Sequence, residues 1–263
     1  MRKFLITSLV VLGAMLVAAP SASAFKLFGK SKNTPVDKTV KVGKIKAIDV
    51  EYINVKLTRG KCPGTATVDG PKDYVNALVI DNKNGILKIG VRENFRVKEN
   101  EEVPTLTLQA EVYEIDATLA AKVEVDEIVG KGDVELYAAT AGSINIGRVK
   151  AKGLDIDAVT AGVITIAGVE CSDDLDIEAA TAGKVSIDKA NASSTSIESA
   201  TAANVVIPKG NLGSAKMIAN TAGVIEAKAS AKSGKAVAET GGSIHCSKSM
   251  RITTTNGGIV TTH

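Results

Sequence analysis

Four carboxylates at alternating positions are the residues of this sequence best placed to do chemistry. Asp155 and Asp157 are followed about one repeat later by Asp176 and Glu178. Side chains two residues apart on a strand point to the same face, so we expect the four to lie adjacent on one outer face. Paired carboxylates are the groups that cleave glycosidic bonds, and parallel β-helices can host acidic clefts.

The surroundings of these acids favour a structural role over a catalytic one. No histidine or arginine stands at matching positions, and the only histidines, His245 and His263, lie near the far end. Alternating acids on a solvent-facing strand are typical of a solvated surface. We therefore predict that the protein is not an enzyme, and we assign no catalytic or cofactor-binding residues.

Metal binding also lacks a sequence signature. Calcium-binding solenoids use Gly-Gly-x-Gly-x-Asp repeats, which are absent from this sequence. Asp173 and Asp174 form an acidic pair in a loop that could coordinate an ion, but exposed acid pairs in turns usually contact only water. We predict no metal and no cofactor.

Three cysteines, Cys62, Cys171 and Cys246, cannot all pair within one chain. Cys171 and Cys246 fall at positions that neighbouring repeats fill with small or aliphatic residues. We expect these two to be buried, unpaired hydrophobes, and the redox state of Cys62 stays open.

A repeated Thr-Ala-Gly segment organises the second half of the chain. Successive copies are spaced by 21, 20, 21, 20, 20, 19 and 16 residues. Spacing this regular is typical of a solenoid. The copies begin at Leu119, Thr140, Thr160, Thr181, Thr201, Thr221, Thr240 and Asn256.

Apolar and polar residues alternate on both sides of each Thr-Ala-Gly segment, as in a strand with one buried face. Around Thr160 the inward positions would be Leu154, Ile156, Ala158, Thr160, Gly162, Ile164 and Ile166. The pattern predicts an all-β fold, a single-stranded β-helix (solenoid) with coils of about 20 residues. It also predicts an inward ladder of threonines, which argues against an ice-binding face because such a face needs outward threonines.

The N-terminus has the features of a secretory signal. Arg2 and Lys3 precede an apolar run, and Ala22-Ser23-Ala24 ends in small residues, which is the pattern of a cleavable signal peptide. We predict a signal peptide at 1–24, a flexible leader at 25–40, an N-terminal β region capping the solenoid at 41–110, and solenoid repeats at 111–263. The protein would be exported to the periplasm, the cell surface or the medium.

Charge and hydropathy limit the partners. Without the signal the chain carries 30 basic and 29 acidic residues, which is not the balance of a nucleic-acid-binding protein. No later stretch is apolar enough to span a membrane once the signal is cleaved. We expect a monomer or weak self-association, and almost no helix after the signal.

The order of features from Lys44 to the C-terminus resembles the family named "putative auto-transporter adhesin, head GIN domain". An alternating opening at 45–57 is followed by the segment 79–89, a strand near 105–108, and then small-residue coils. The resemblance implies an exported β-solenoid of the cell envelope and carries no biochemical activity. The favoured function is a structural or adhesive module that binds an unknown glycan or protein. A carbohydrate-active β-helix enzyme and a metal-binding surface are the alternatives.

Overall fold

The computed structural model describes residues 35–96 and 102–263, so the predicted signal peptide lies outside the described residues. The described residues form 25 strands and one short helix. In chain order they are β1 Pro35–Lys41, β2 Ala47–Glu51, β3 Asn54–Thr58, β4 Thr65–Pro71, α1 Lys72–Ala77, β5 Leu78–Lys83, β6 Ile86–Val91, β7 Thr105–Gln109, β8 Glu114–Thr118, β9 Lys122–Val129, β10 Val134–Ala139, β11 Ser143–Ala151, β12 Leu154–Val159, β13 Val163–Cys171, β14 Asp174–Ala180, β15 Lys184–Ile187, β16 Ala190–Asn191, β17 Ser194–Ala200, β18 Asn204–Ile207, β19 Gly210–Asn211, β20 Ser214–Asn220, β21 Val224–Ala227, β22 Ser233–Glu239, β23 Ser243–Cys246, β24 Met250–Thr255 and β25 Ile259–Thr262.

The strands form two long sheets, and from β8 onwards every pairing is parallel. The first sheet has 14 strands, with the main order β1-β4-β7-β3-β9-β11-β13-β15-β18-β21-β23-β25, and the short strands β16 and β19 pair beside it. The second sheet has 11 strands in the order β24-β22-β20-β17-β14-β12-β10-β8-β2-β6-β5. Each coil gives one strand to the second sheet, turns at the repeated segment and gives one strand to the first. The predicted β-solenoid is confirmed.

The core follows the predicted period of two. Ile164 and Ile166 are fully buried, whereas Thr165 between them is half-buried on the outer side. Ile164 stands in register between Ile144 and Val185 of the neighbouring coils. Identical inward positions therefore stack on each other, and a thin core of small aliphatic side chains suffices because each coil buries its face against the next.

The predicted inward threonine ladder is wrong. Thr160 is exposed and has a φ of 49°, and Ala161 after it has a φ of 62°. Gly162 N donates to Val159 O at 2.8 Å. Two consecutive positive φ values closed by this hydrogen bond form a type I′ turn. The alternation breaks at the corner because the turn rotates the threonine outwards. The argument against an ice-binding face, which assumed buried threonines, therefore no longer holds.

Glycine fills the last position of the turn, the third residue of the Thr-Ala-Gly segment, because it is small. Its φ is not positive, but a Cβ on Gly162 would lie 1.9 Å from the carbonyl oxygen of Ala138 in the preceding coil. Ala203 fills this position in another coil, and its turn hydrogen bond to Ala200 O is 3.2 Å long. Glycine therefore permits the close approach of stacked backbones.

The N-terminal region lies at one end of both sheets. β5 pairs with β6, and β4 pairs with β7, both antiparallel. β1 adds an antiparallel strand to β4. The predicted flexible leader at 25–40 therefore ends too late, because Pro35–Lys41 form a strand whose Val36 and Val40 pack against the core. The helix α1, which the sequence did not predict, buries Tyr74, Val75 and Ala77.

The first coil of the chain is enclosed by later ones. β2 lies between β6 and β8, and β3 lies between β7 and β9. The strands β6 and β7, which follow β2 and β3 in the chain, pair on one side of that first coil. The chain then crosses to the other side, where β8 and β9 pair with β2 and β3 and the solenoid continues. Within residues 35–96 and 102–263, no helix has the length and hydropathy needed to cross a bilayer.

Candidate functional site

The outward side of the second sheet carries the predicted acids, and we call it the charged face. Its outward side chains form two columns in register from coil to coil. The first column is Glu114, Glu135, Asp155, Asp176, Ser196, Lys216, Lys235 and Arg251. The second column is Asp116, Tyr137, Asp157, Glu178, Glu198, Ile218, Val237 and Thr253.

The four candidate carboxylates lie together as predicted. Asp155 is in register with Asp176, and Asp157 with Glu178. Neighbouring strands are about 4.8 Å apart, so each carboxylate stands beside others of the same charge. Among the described residues, none of the four forms an ion pair.

Burial, together with the crowding of like charges, raises the pKa values of several of these acids. Partial burial, then repulsion from Glu178 and Asp155, raises the pKa of Asp157 to about 6. Partial burial and the neighbouring Asp49 raise the pKa of Asp116 to about 6 as well. The pKa values of Asp155 and Asp176 are raised for the same two reasons, burial first. Within the acidic half of the face, which holds the four candidate carboxylates, Asp116 and Asp157 therefore titrate in mildly acidic solution.

The face changes sign along the solenoid. After Ser196 the first column continues as Lys216, Lys235 and Arg251, all exposed and, among the described residues, without an ion-pair partner. The wider chain follows the same trend. Residues 111–203 hold 17 acidic and 7 basic side chains, a net charge of −10, whereas residues 204–263 hold 2 acidic and 7 basic ones, a net charge of +5.

The basic half is also recessed. Small side chains, including Ser196, Ser214 and Ser233, line an open groove of about 850 Å³ beside the three cations. Thr195, only 2% exposed, lines the same groove, and its hydroxyl has no hydrogen-bond partner. This half was not predicted from the sequence, because the predicted site rested on carboxylates alone. Continuing the Asp155 position forward along the repeat would have reached Lys216 and Lys235.

The other candidates from the sequence are dispersed. Asp173 lies 3.8 Å from the amine of Lys152 in an exposed loop. Within the described ranges, no three histidine, cysteine or acidic side chains are grouped to hold a metal ion. His245 and His263 stack with ring centroids 5.2 Å apart at the last coil, away from the acids.

The cysteines are packing residues. Cys171 stands in register with Ala151, and Cys246 occupies the inward position of Ile146 and Ile166, as predicted. Both are buried, and burial raises the pKa of the Cys171 thiol to about 12. Cys62 is partly exposed, and its thiol donates to Gly43 O at 3.1 Å.

The threonine column is a second regular surface. The backbone N–H of each turn alanine donates to the threonine carbonyl oxygen of the next coil, as from Ala161 to Thr181 at 3.0 Å. The turns therefore stack like the strands. They present one exposed threonine per coil, from Thr140 through Thr240.

The sequence of this solenoid matches the model of a known family. The model of the family "Putative auto-transporter adhesin, head GIN domain" matches residues 46–211. The chain belongs to this family. No curated protein matches this member in sequence.

Solved structures of similar shape carry related descriptions. A "putative adhesin" from Parabacteroides distasonis has a TM-score of 0.57 at 13% identity, covering 88% of this chain and 98% of its own. A "putative adhesin" from Parabacteroides merdae has a TM-score of 0.51 at 11% identity, covering 86% and 95%. A "Putative lipid binding protein" from Parabacteroides distasonis has a TM-score of 0.55 at 15% identity, covering 86% and 96%. At these identities the likeness shows a shared fold alone.

Proposed function

We propose that this GIN-domain protein is exported to the cell envelope and acts there as a structural or adhesive module that holds a glycan or a protein on its outer faces. The observation that carries this proposal is the in-register stacking of outward side chains. Asp155 and Asp176 present the same group at the same place in successive coils. A surface with a regular repeat suits a polymeric or extended partner, because equivalent contacts can recur along it.

The family and its structural relatives support a binding module over an enzyme, since their descriptions name adhesins and a lipid-binding protein. The acids add a physical argument. They line an open sheet face on which the carboxylates repel each other. Among the described residues, no histidine or arginine stands in register with them in the neighbouring coils. We infer that the raised pKa values arise from crowding and burial on a binding surface.

A glycan array and an envelope pull-down with the exported protein test the proposal. We expect retention of a specific glycan or protein. Binding through the acidic half is lost in the variant Asp155→Asn with Asp157→Asn. The variant Asp188→Asn with Glu226→Gln removes two negative charges elsewhere and serves as the control. Turnover of a polysaccharide that stops in the first variant would establish an enzyme instead.

Export has its own measurement. N-terminal sequencing of the protein recovered outside the cytoplasm should begin at Phe25, since cleavage is expected after Ala24. A chain that stays in the cytoplasm and still starts at Met1 would overturn the proposed location.

A further inference from the structure

We propose that the charged face binds the charged face of a second copy of this chain, with the two solenoid axes antiparallel and a two-fold axis through β17. The proposal concerns self-association and does not depend on the envelope partner proposed above. It begins from seven successive positions of the first column, from Glu135 to Arg251, in which three acids, one serine and three cations follow each other.

A two-fold axis along the direction of β17 turns the column onto itself with its order reversed. Asp176 then faces Lys216 of the second copy, Asp155 faces Lys235, and Glu135 faces Arg251. Each pairing occurs twice because the interface is isologous. These three acids and all three cations of one copy meet an opposite charge, and Ser196, which is neutral, lies on the axis. Glu114 lies one coil beyond the last of these pairs.

The shape of the face agrees with this pairing. The basic half is a groove bordered by serines, so it has room for acidic side chains that project from the other copy. The outward serine hydroxyls, among them those of Ser196, Ser214 and Ser233, lie where such carboxylates would enter. A hydroxyl can donate to a carboxylate in this position.

The area sets the strength of the contact. Seven strands at about 4.8 Å spacing and about 20 Å length cover about 680 Å² on each copy. The total of about 1,400 Å² falls in the lower part of the range for specific interfaces. Because the paired charges border solvent, they are screened by salt. The dimer should therefore be weak, and it should dissociate as salt is added.

The second column gives an independent prediction. Glu198 lies in the same strand as Ser196 and therefore faces Glu198 of the second copy across the axis. This like-charge contact opposes association. Glu198→Gln should lower the dissociation constant severalfold. A constant that is unchanged or raised would overturn an axis through β17.

Charge reversal tests the partner directly by sedimentation velocity at low salt. Lys216→Glu with Lys235→Glu makes every charged residue of the first column before Arg251 acidic, and Asp155→Lys with Asp176→Lys makes most of the column basic. Each variant alone should be monomeric. An equimolar mixture of the two should form a heterodimer, because the acidic face of one then meets the basic face of the other.

The control variant is Lys184→Glu with Lys189→Glu, which reverses two exposed lysines outside the charged face and should dimerise like the unmodified protein. Circular dichroism verifies that each variant is folded. The proposal is overturned by an unmodified protein that stays monomeric at low salt, by reversed variants that fail to pair, or by a monomer that uses Lys216 and Lys235 to hold an anionic polysaccharide.

Discussion

Asp176 and Lys216 occupy the same outward position of the charged face two coils apart, with Ser196 between them. The inward residues beside them keep one character, since Ile177, Ile197 and Met217 are all buried in one stack. The face can therefore reverse its charge within two coils without a change in the core. The strand alternation separates what holds the fold together from what the surface presents.

The strand register can be tested by substituting aspartate, one at a time, for two neighbouring residues of β13. Ile164→Asp removes a buried side chain worth about 1.5–3 kcal/mol and buries a carboxylate without a partner at a further cost of several kcal/mol. Thr165→Asp should change the free energy of unfolding by no more than about 0.5 kcal/mol. Denaturant melts of the two variants decide the matter, and equal stabilities would contradict the register.

The close contact between stacked turns gives a second prediction. Gly162→Ala places a Cβ against the carbonyl oxygen of Ala138 and should lower the free energy of unfolding by about 1–3 kcal/mol, as overpacking does. Gly168→Ala is the matched control, because a Cβ there meets nothing within 4 Å. If the two variants melted together, the close approach would not exist in solution.

The turn is strained at Thr160, the first of its two residues with a positive φ. A β-branched residue at a φ of 49° is unfavourable, whereas asparagine is common at this place in type I′ turns. Thr160→Asn should therefore raise the free energy of unfolding by about 0.5–1 kcal/mol. Thr165→Asn, in the extended strand β13, should give no such gain, and a loss of stability in Thr160→Asn would contradict the turn geometry.

The raised pKa of Asp157 predicts a pH dependence. Since its folded-state pKa of about 6 lies above the ordinary value of 3.8, the folded protein binds more protons than the unfolded chain between these values. The contribution of Asp157 to stability therefore falls as the pH rises through this window. Above it, the charged carboxylate destabilises the fold.

Asp157→Asn removes that cost. At pH 7 the variant should be more stable than the unmodified protein by about 1 kcal/mol, a value reduced for solvent screening, and the difference should vanish near pH 4. Thermal melts at both pH values measure it. Asp188 is an exposed acid in the first-sheet half of its coil, so Asp188→Asn controls for the loss of one charge. An equal gain in stability in Asp188→Asn would show that the burial and crowding of Asp157 are not the cause.

The sequence predicted the coils well because the alternation records burial directly. Leu154, Ile156 and Ile164 are buried as expected. The same rule failed at Thr160, since a rule of two assumes an extended backbone and the turn has two residues of positive φ. Composition alone does not reveal such a turn when threonine and alanine stand where asparagine and glycine are usual.

The candidate site was half predicted. Asp155 and Asp176 could be placed together because they share one repeat position. Lys216 and Lys235 share it too, but a search for catalytic groups passes over isolated lysines. The raised pKa of Asp157 could not be predicted, because it depends on how deeply the carboxylate sits against Glu178.

The enclosure of β2 and β3 between later strands gives the two ends of the molecule different folding behaviour. The first coil is covered on its outer side only when Val50 pairs with Ile89 and Val55 pairs with Leu106. These pairings close long loops, which slows their formation. The N-terminal coils should therefore fold in one concerted step that also limits the rate. Each later coil needs only the one before it, so growth from β10 to β25 can proceed by sequential addition, and fraying under native conditions should start at β24 and β25.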